Sequence, residues 1–144
     1  MADVFNVLEV MDSIKREIKN ADISIKEQYL ANGYYERRME EYRKQGELVI
    51  FGAGRFGRQL YKILDIEDIH TVKCFCDNAA ARWGRKLDGL DIFSTEETVK
   101  KFPEAMYIIT PRGYENEILR QLIGMGIAAE RISIFITELT GLEA

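Results

Sequence analysis

Leu48-Val49-Ile50-Phe51-Gly52-Ala53-Gly54-Arg55-Phe56-Gly57 is the stretch that decides the fold. A short apolar run, Glu47 to Phe51, stops at a glycine, and a helical pattern then carries Phe56, Leu60, Ile63 and Leu64 on one side. Between them Gly52, Gly54 and Gly57 stand in the spacing GxGxxG. In a strand–loop–helix setting the first glycine permits the tight turn, the second lets a pyrophosphate come close to the backbone, and the third lets helix and strand pack together. Free amides and the helix dipole at the start of the helix attract phosphate. Arg55 and Arg58 flank that point and are candidates for charge-assisted hydrogen bonds. A bare GxGxxG is weak evidence, but here a strand precedes it, a helix follows, and an acid ends the next strand. That acid, Asp77, lies 20 residues after Gly57, where a carboxylate can accept hydrogen bonds from a ribose diol. A carboxylate there repels the 2′-phosphate of NADP and favours NAD, unless Arg82, Arg85 or Lys86 swings in; the plainer expectation for those three is solvated loop charges.

Outward from this unit the chain keeps alternating. Thr71–Cys76 is β-branched and apolar, a second strand. Asp91–Phe93 is a short third strand, and Ser94-Thr95-Glu96-Glu97 is a capping box that opens a helix to about Lys101. Met106–Thr110 is the fourth strand, residues 113–126 the next helix, and Arg131–Ile136 the fifth strand. Strands alternating with helices across short loops predict an α/β, Rossmann-like three-layer domain with a five-stranded parallel sheet, spanning residues 47–144.

Residues 1–46 differ in kind. Val4, Leu8, Met11 and Ile18 recur at helical steps over about 17 residues. Asp22 is a candidate N-cap for a second helical stretch from Ile23 to Lys44, which Ala31-Asn32-Gly33 could interrupt. This N-terminal helical arm can fold back on the domain, pair its helices, or form a homodimer with a second copy of the chain; the sequence leaves these open.

At 144 residues the chain is long enough for one domain with a real core, and its composition is that of an ordinary globular protein. The net charge of -4 argues against a broad nucleic-acid footprint, so no nucleic-acid partner is expected. No run of about 18 apolar residues exists, so no membrane span is expected. The N-terminus lacks the basic start and cleavage site of a secretory signal, which points to the cytoplasm. Cys74 and Cys76 read as reduced, buried thiols, and with His70 the only histidine no metal site is expected.

The combination of Leu48–Gly54, Cys76-Asp77-Asn78, Trp83-Gly84, Asp88-Gly89, Ile92 and a strand ending at Thr110 resembles a group of small Rossmann domains. These bind NAD(P) or nucleotide-sugars in bacterial sugar and cell-envelope biosynthesis proteins, beside sugar acetyltransferases, sugar-nucleotide dehydratases and sugar methyltransferases. The resemblance covers roughly residues 47–137 and none of the N-terminal helices. It implies that Gly52, Gly54, Arg55, Phe56 and Gly57 line the phosphates and that Asp77 and Asn78 lie at the ribose or base. Thr110, Pro111 and Arg112 would border the far side of the ligand, and Trp83 would anchor the loop after the second strand.

Catalytic groups are not evident. No tyrosine has a lysine four residues later, His70 lies away from the expected ligand end, and no serine sits in a nucleophile elbow. Tyr114 and Glu115 are the nearest candidates. The first expectation is therefore binding of a dinucleotide, NAD foremost, then NADP or a nucleotide-sugar, by an accessory or sensing module. The alternative is an NAD(P)-dependent oxidoreductase or sugar-modifying subunit completed by a partner. Binding of S-adenosylmethionine is a third reading, which Gly57 fits less well than the dinucleotide loop.

Overall fold

The computed structural model of the chain describes residues 33–136. The predicted first helix, the Asp22 cap and the opening of the second helix lie outside those residues, as does the apolar stripe considered for pairing with a second copy. Gly33, with φ of 79°, leads into α1 (Tyr34–Arg43). Then follow β1 (Leu48–Phe51), α2 (Arg55–Ile66), β2 (Val72–Asp77), a 3-10 turn (Ala80–Arg82), β3 (Lys86–Leu87) and β4 (Leu90–Ser94). The chain continues through α3 (Thr95–Lys101), β5 (Met106–Ile109), α4 (Glu115–Gly124), a second 3-10 turn (Ala129–Arg131) and β6 (Ile132–Ile134).

The sheet order is β3-β4-β2-β1-β5-β6. All pairings are parallel except β3 with β4. This corrects the expected five strands to six. The extra strand is a two-residue antiparallel flap on the edge, joined to β4 through Asp88 (φ 49°) and Gly89 (φ 86°). Positive φ at both central residues is the signature of the tight hairpin turn that Asp-Gly favours, so the dipeptide carried a signal that the strand itself was too short to give.

Alternation along each strand divides the interior into two cores, as a parallel sheet covered on both faces requires. Leu48, Ile50, Phe75, Met106 and Ile108 face a core with Met39 and Tyr42 of α1 and Leu60, Ile63 and Leu64 of α2. Val49, Phe51, Cys74, Cys76, Tyr107 and Ile109 face the other, with Ile118, Leu119 and Leu122 of α4 and Val99 of α3. Full burial of such a side chain contributes about 1.5–3 kcal/mol relative to exposure. The described part of the second predicted helix is thus cover for the sheet. Tyr42 Oη lies 2.9 Å from Ser133 Oγ, and Tyr34 O–H donates to Ile134 O while accepting from Ile136 N–H. Arg43 pairs with Glu67 at 2.7 Å, tying α1 to the end of α2.

The chain builds β1, β2 and β4 in one direction and then returns to the other side of β1 for β5 and β6. Strand order reverses between β1 and β5, which places the crevice at their carboxyl ends, where ligands of open α/β sheets bind.

Candidate functional site

A cleft of about 460 Å³ opens at that position, within the range of small-molecule sites. All ten residues singled out from the sequence line it: Gly52, Gly54, Arg55, Phe56, Gly57, Asp77, Asn78, Thr110, Pro111 and Arg112. The structure adds residues that sequence reasoning left out of the site, chiefly Arg82 and Gln121.

The glycine loop is shaped by close backbone approaches. Gly52 has φ of 105°, and a Cβ there would come within 2.7 Å of Thr110 Oγ1 and 2.8 Å of Pro111 Cγ. At Gly57 a Cβ would stand 1.8 Å from the carbonyl oxygen of Gly52. Thr110 is itself fixed, since its hydroxyl donates to Phe51 O at 2.8 Å. Gly54 is the N-cap of α2 and supplies no side-chain oxygen to the first-turn amides. At α3 the contrast is direct: Ser94 Oγ accepts from Glu97 N–H at 3.1 Å, as the capping box predicts. The α2 terminus is therefore left for water or an anionic group to satisfy.

Asp77, buried at the end of β2, faces the loop. Its Oδ2 accepts from Ala53 N–H at 2.8 Å and from Arg82 Nη1 at 3.0 Å, and its Oδ1 accepts from Ala79 N–H at 2.8 Å. Arg82 is thus not the solvated loop charge expected from the sequence; the 3-10 turn folds its guanidinium back onto the carboxylate. Arg58, by contrast, reaches away from the phosphate position to Asp88, at 3.2 and 3.3 Å. Trp83 donates its indole N–H to Asp77 O at 2.7 Å, anchoring the loop after β2.

Asn78 and Gln121 exchange amide hydrogen bonds at 2.8 and 3.0 Å, and Thr95 donates to Asn78 Oδ1 at 2.8 Å. This joins the β2 end of the cleft to α4. On the far wall Arg112 Nε lies 3.7 Å from Glu115 Oε2, with Glu115 fully buried in the first turn of α4. Tyr114 lines the cleft and is 60% exposed. Arginines 55, 82 and 112 and the acids Asp77 and Glu117 line the cleft; Arg82 is paired with Asp77 and Arg112 with the buried Glu115, so its charges are largely matched.

The remaining reactive groups lie elsewhere. Cys74 and Cys76 are free and buried. Burial pushes the Cys74 thiol up to about 12 and the Cys76 thiol well above its ordinary value, so neither offers a thiolate near neutral pH. His70 is exposed on the far side, 2.6 Å from Asp68 Oδ1. Among the described residues no cluster of potential metal ligands occurs, and no helix is long and apolar enough to cross a membrane.

A family model described as C2185-like, N-terminal, matches residues 44–133. No curated protein matches the chain. Among solved structures, RSP, a Rex-family repressor, superposes with TM-score 0.53 at 19% identity, over 69% of this chain and 49% of the repressor. The chain therefore spans about half the length of that protein. UDP-D-quinovosamine 4-dehydrogenase from Vibrio fischeri superposes with TM-score 0.53 at 17% identity, over 67% of this chain and 84% of the enzyme. RSP in complex with β-NAD+ and operator DNA does so with TM-score 0.50 at 15% identity, over 72% and 57%. At these identities the likeness establishes the Rossmann-like fold. It also corrects the expectation that nucleic acid is excluded as a partner, because a protein of this fold is seen with operator DNA. The exclusion rested on net charge, and a sum over the chain says nothing about a local basic surface.

Proposed function

We propose that the chain, which belongs to the C2185-like N-terminal family, binds a dinucleotide in the cleft above Gly54, with NAD the first candidate. The observation that carries this reading is the convergence of the glycine loop, Asp77 and the β5 loop on one cleft at the reversal of strand order. Such a crevice takes the pyrophosphate at the N-terminus of α2 and the ribose beside Asp77. Co-crystallisation of a repressor of the same fold with NAD+ supports the choice of ligand. We place the module in an accessory or ligand-sensing role, with sugar-nucleotide metabolism as its setting. The resemblance of residues 47–137 to domains of that metabolism supports the setting, and the likeness to a UDP-sugar dehydrogenase agrees with it.

Thermal unfolding of the full chain with NAD+, NADH, NADP, a UDP-sugar and S-adenosylmethionine tests the reading. A ligand at about 100 times its Kd stabilises by about 2.7 kcal/mol, which displaces Tm by several degrees. Stabilisation by a UDP-sugar or S-adenosylmethionine alone removes the dinucleotide assignment, and stabilisation by none of the five removes nucleotide binding.

A further inference from the structure

Of the two arginines that flank the glycine loop, Arg58 is held by Asp88 and Arg55 lies 5.7 Å from the ring of Phe56. Arg82 stands in a better place for a phosphate. Its Nη1 is 3.0 Å from Asp77 Oδ2, and that same nitrogen lies 3.1 Å from where a Cβ on Gly54 would be. The side of Gly54 where a Cβ would project is the space that the second glycine of such a loop keeps open for pyrophosphate. The guanidinium therefore lies on the route by which a phosphate reaches the first turn of α2, tethered there by a carboxylate.

Lone pairs limit what that carboxylate can do. Oδ2 already accepts two donors, Ala53 N–H and Arg82, whereas Oδ1 accepts one, Ala79 N–H. With about two acceptor positions on each oxygen, Asp77 has room for one ribose hydroxyl as it stands. A second hydroxyl requires Arg82 to leave Oδ2. The tether is weak enough to allow that, because the Arg82 side chain is 46% exposed and such ion pairs contribute little.

Resting on the dinucleotide reading, we propose that Arg82 is the phosphate-binding residue of the cleft, exchanging Asp77 for the pyrophosphate of the ligand. The exchange frees Oδ2 for the second ribose hydroxyl, so phosphate and ribose recognition are coupled through one ion pair. A planar guanidinium suits the task, since it can meet two phosphate oxygens at once.

Calorimetric titration of the full chain and of Arg82→Ala and Arg82→Lys with NAD+, ADP-ribose and NADP tests this. Arg82→Ala should weaken NAD+ and ADP-ribose alike, by roughly 10- to 100-fold, the loss of a charge-assisted contact. Arg82→Lys should recover part of the loss through charge without the fork. The dependence of affinity on salt should become shallower in Arg82→Ala, a change that a structural role would not produce. Unchanged NAD+ affinity in Arg82→Ala overturns the proposal and leaves the dinucleotide reading standing. Loss confined to NADP also overturns it, because the arginine would then read a 2′-phosphate. A wild-type chain that binds none of the three takes both down.

Discussion

Replacing Gly57 by alanine tests the loop geometry most directly. The new Cβ would lie 1.8 Å from Gly52 O, 2.9 Å from Gly52 C and 3.4 Å from Ile50 Cγ2. A carbon–oxygen contact ordinarily begins at about 3.3 Å, so α2 and the β1–α2 loop must part by roughly 1.5 Å. Neither partner can rotate aside, since the oxygen is backbone and Gly57 belongs to the helix. Overpacking of a well-packed interior costs about 1–3 kcal/mol, and the absence of any flexible side chain at the clash puts this case near about 3 kcal/mol. For a domain of this size that is a fall in Tm of about 12 °C, read by calorimetry or far-UV circular dichroism. Gly46→Ala is the control, because nothing lies within 4 Å of a Cβ there. A Gly57→Ala protein that melts within about 4 °C of wild type would refute the claim that α2 is held against Gly52 by contact. NAD+ affinity should fall with the stability, because the same displacement moves the α2 amides away from the loop.

Asp77→Ala strands the buried Ala53 N–H and the Ala79 N–H, so we expect about 2–4 kcal/mol of destabilisation by urea titration, and a loss below about 0.5 kcal/mol would contradict its structural role. Its binding effect should be larger for NAD than for NADP, and equal affinities before and after would remove Asp77 from the ribose. Stability should be level through neutral pH and decline under alkaline conditions. The Cys74 thiol is raised from 9.0 to about 12 and the Tyr35 hydroxyl from 10.0 to about 12, both chiefly by burial. Groups raised in the folded state keep their stabilising contribution below the unfolded pKa and lose it as pH climbs towards the folded value, so the decline begins near 9. An unchanged urea midpoint between about pH 7.5 and about pH 10.5 would count against it.

Much of the site was legible because it is local in sequence. Three glycines and an acid 20 residues on mark one βαβ unit, whereas Thr110 and Pro111, far along the chain after β5, were implied by the family resemblance alone. What escaped was set by tertiary geometry. Arg82 reaches Asp77 only because Ala80–Arg82 closes into a 3-10 turn, and no periodicity announces a three-residue turn. Arg58 and Asp88 are 30 positions apart and meet through the left-handed Asp88, so the arginine that spacing favours is diverted. Gln121 sits on the second turn of α4, where helical position alone does not tell an amide facing the cleft from one facing water. For β3 the signal existed in Asp88-Gly89, but two residues with exposed Lys86 cannot show a strand alternation.

The phenol of Tyr34 has a consequence for solubility. β6 is the rim of the sheet, and because Phe135 N–H is taken by Ile109 O, the flanking Ile134 C=O and Ile136 N–H turn outwards. Those two groups are what a strand from another molecule would engage. The hydroxyl of Tyr34 meets both, at 3.4 and 3.0 Å, as a one-atom substitute for a neighbouring strand. Protected rims are how sheets avoid growing from molecule to molecule. Tyr34→Phe would remove that stopper while keeping the ring beside Phe135, so a greater tendency of that variant to precipitate would signal lost protection at the rim.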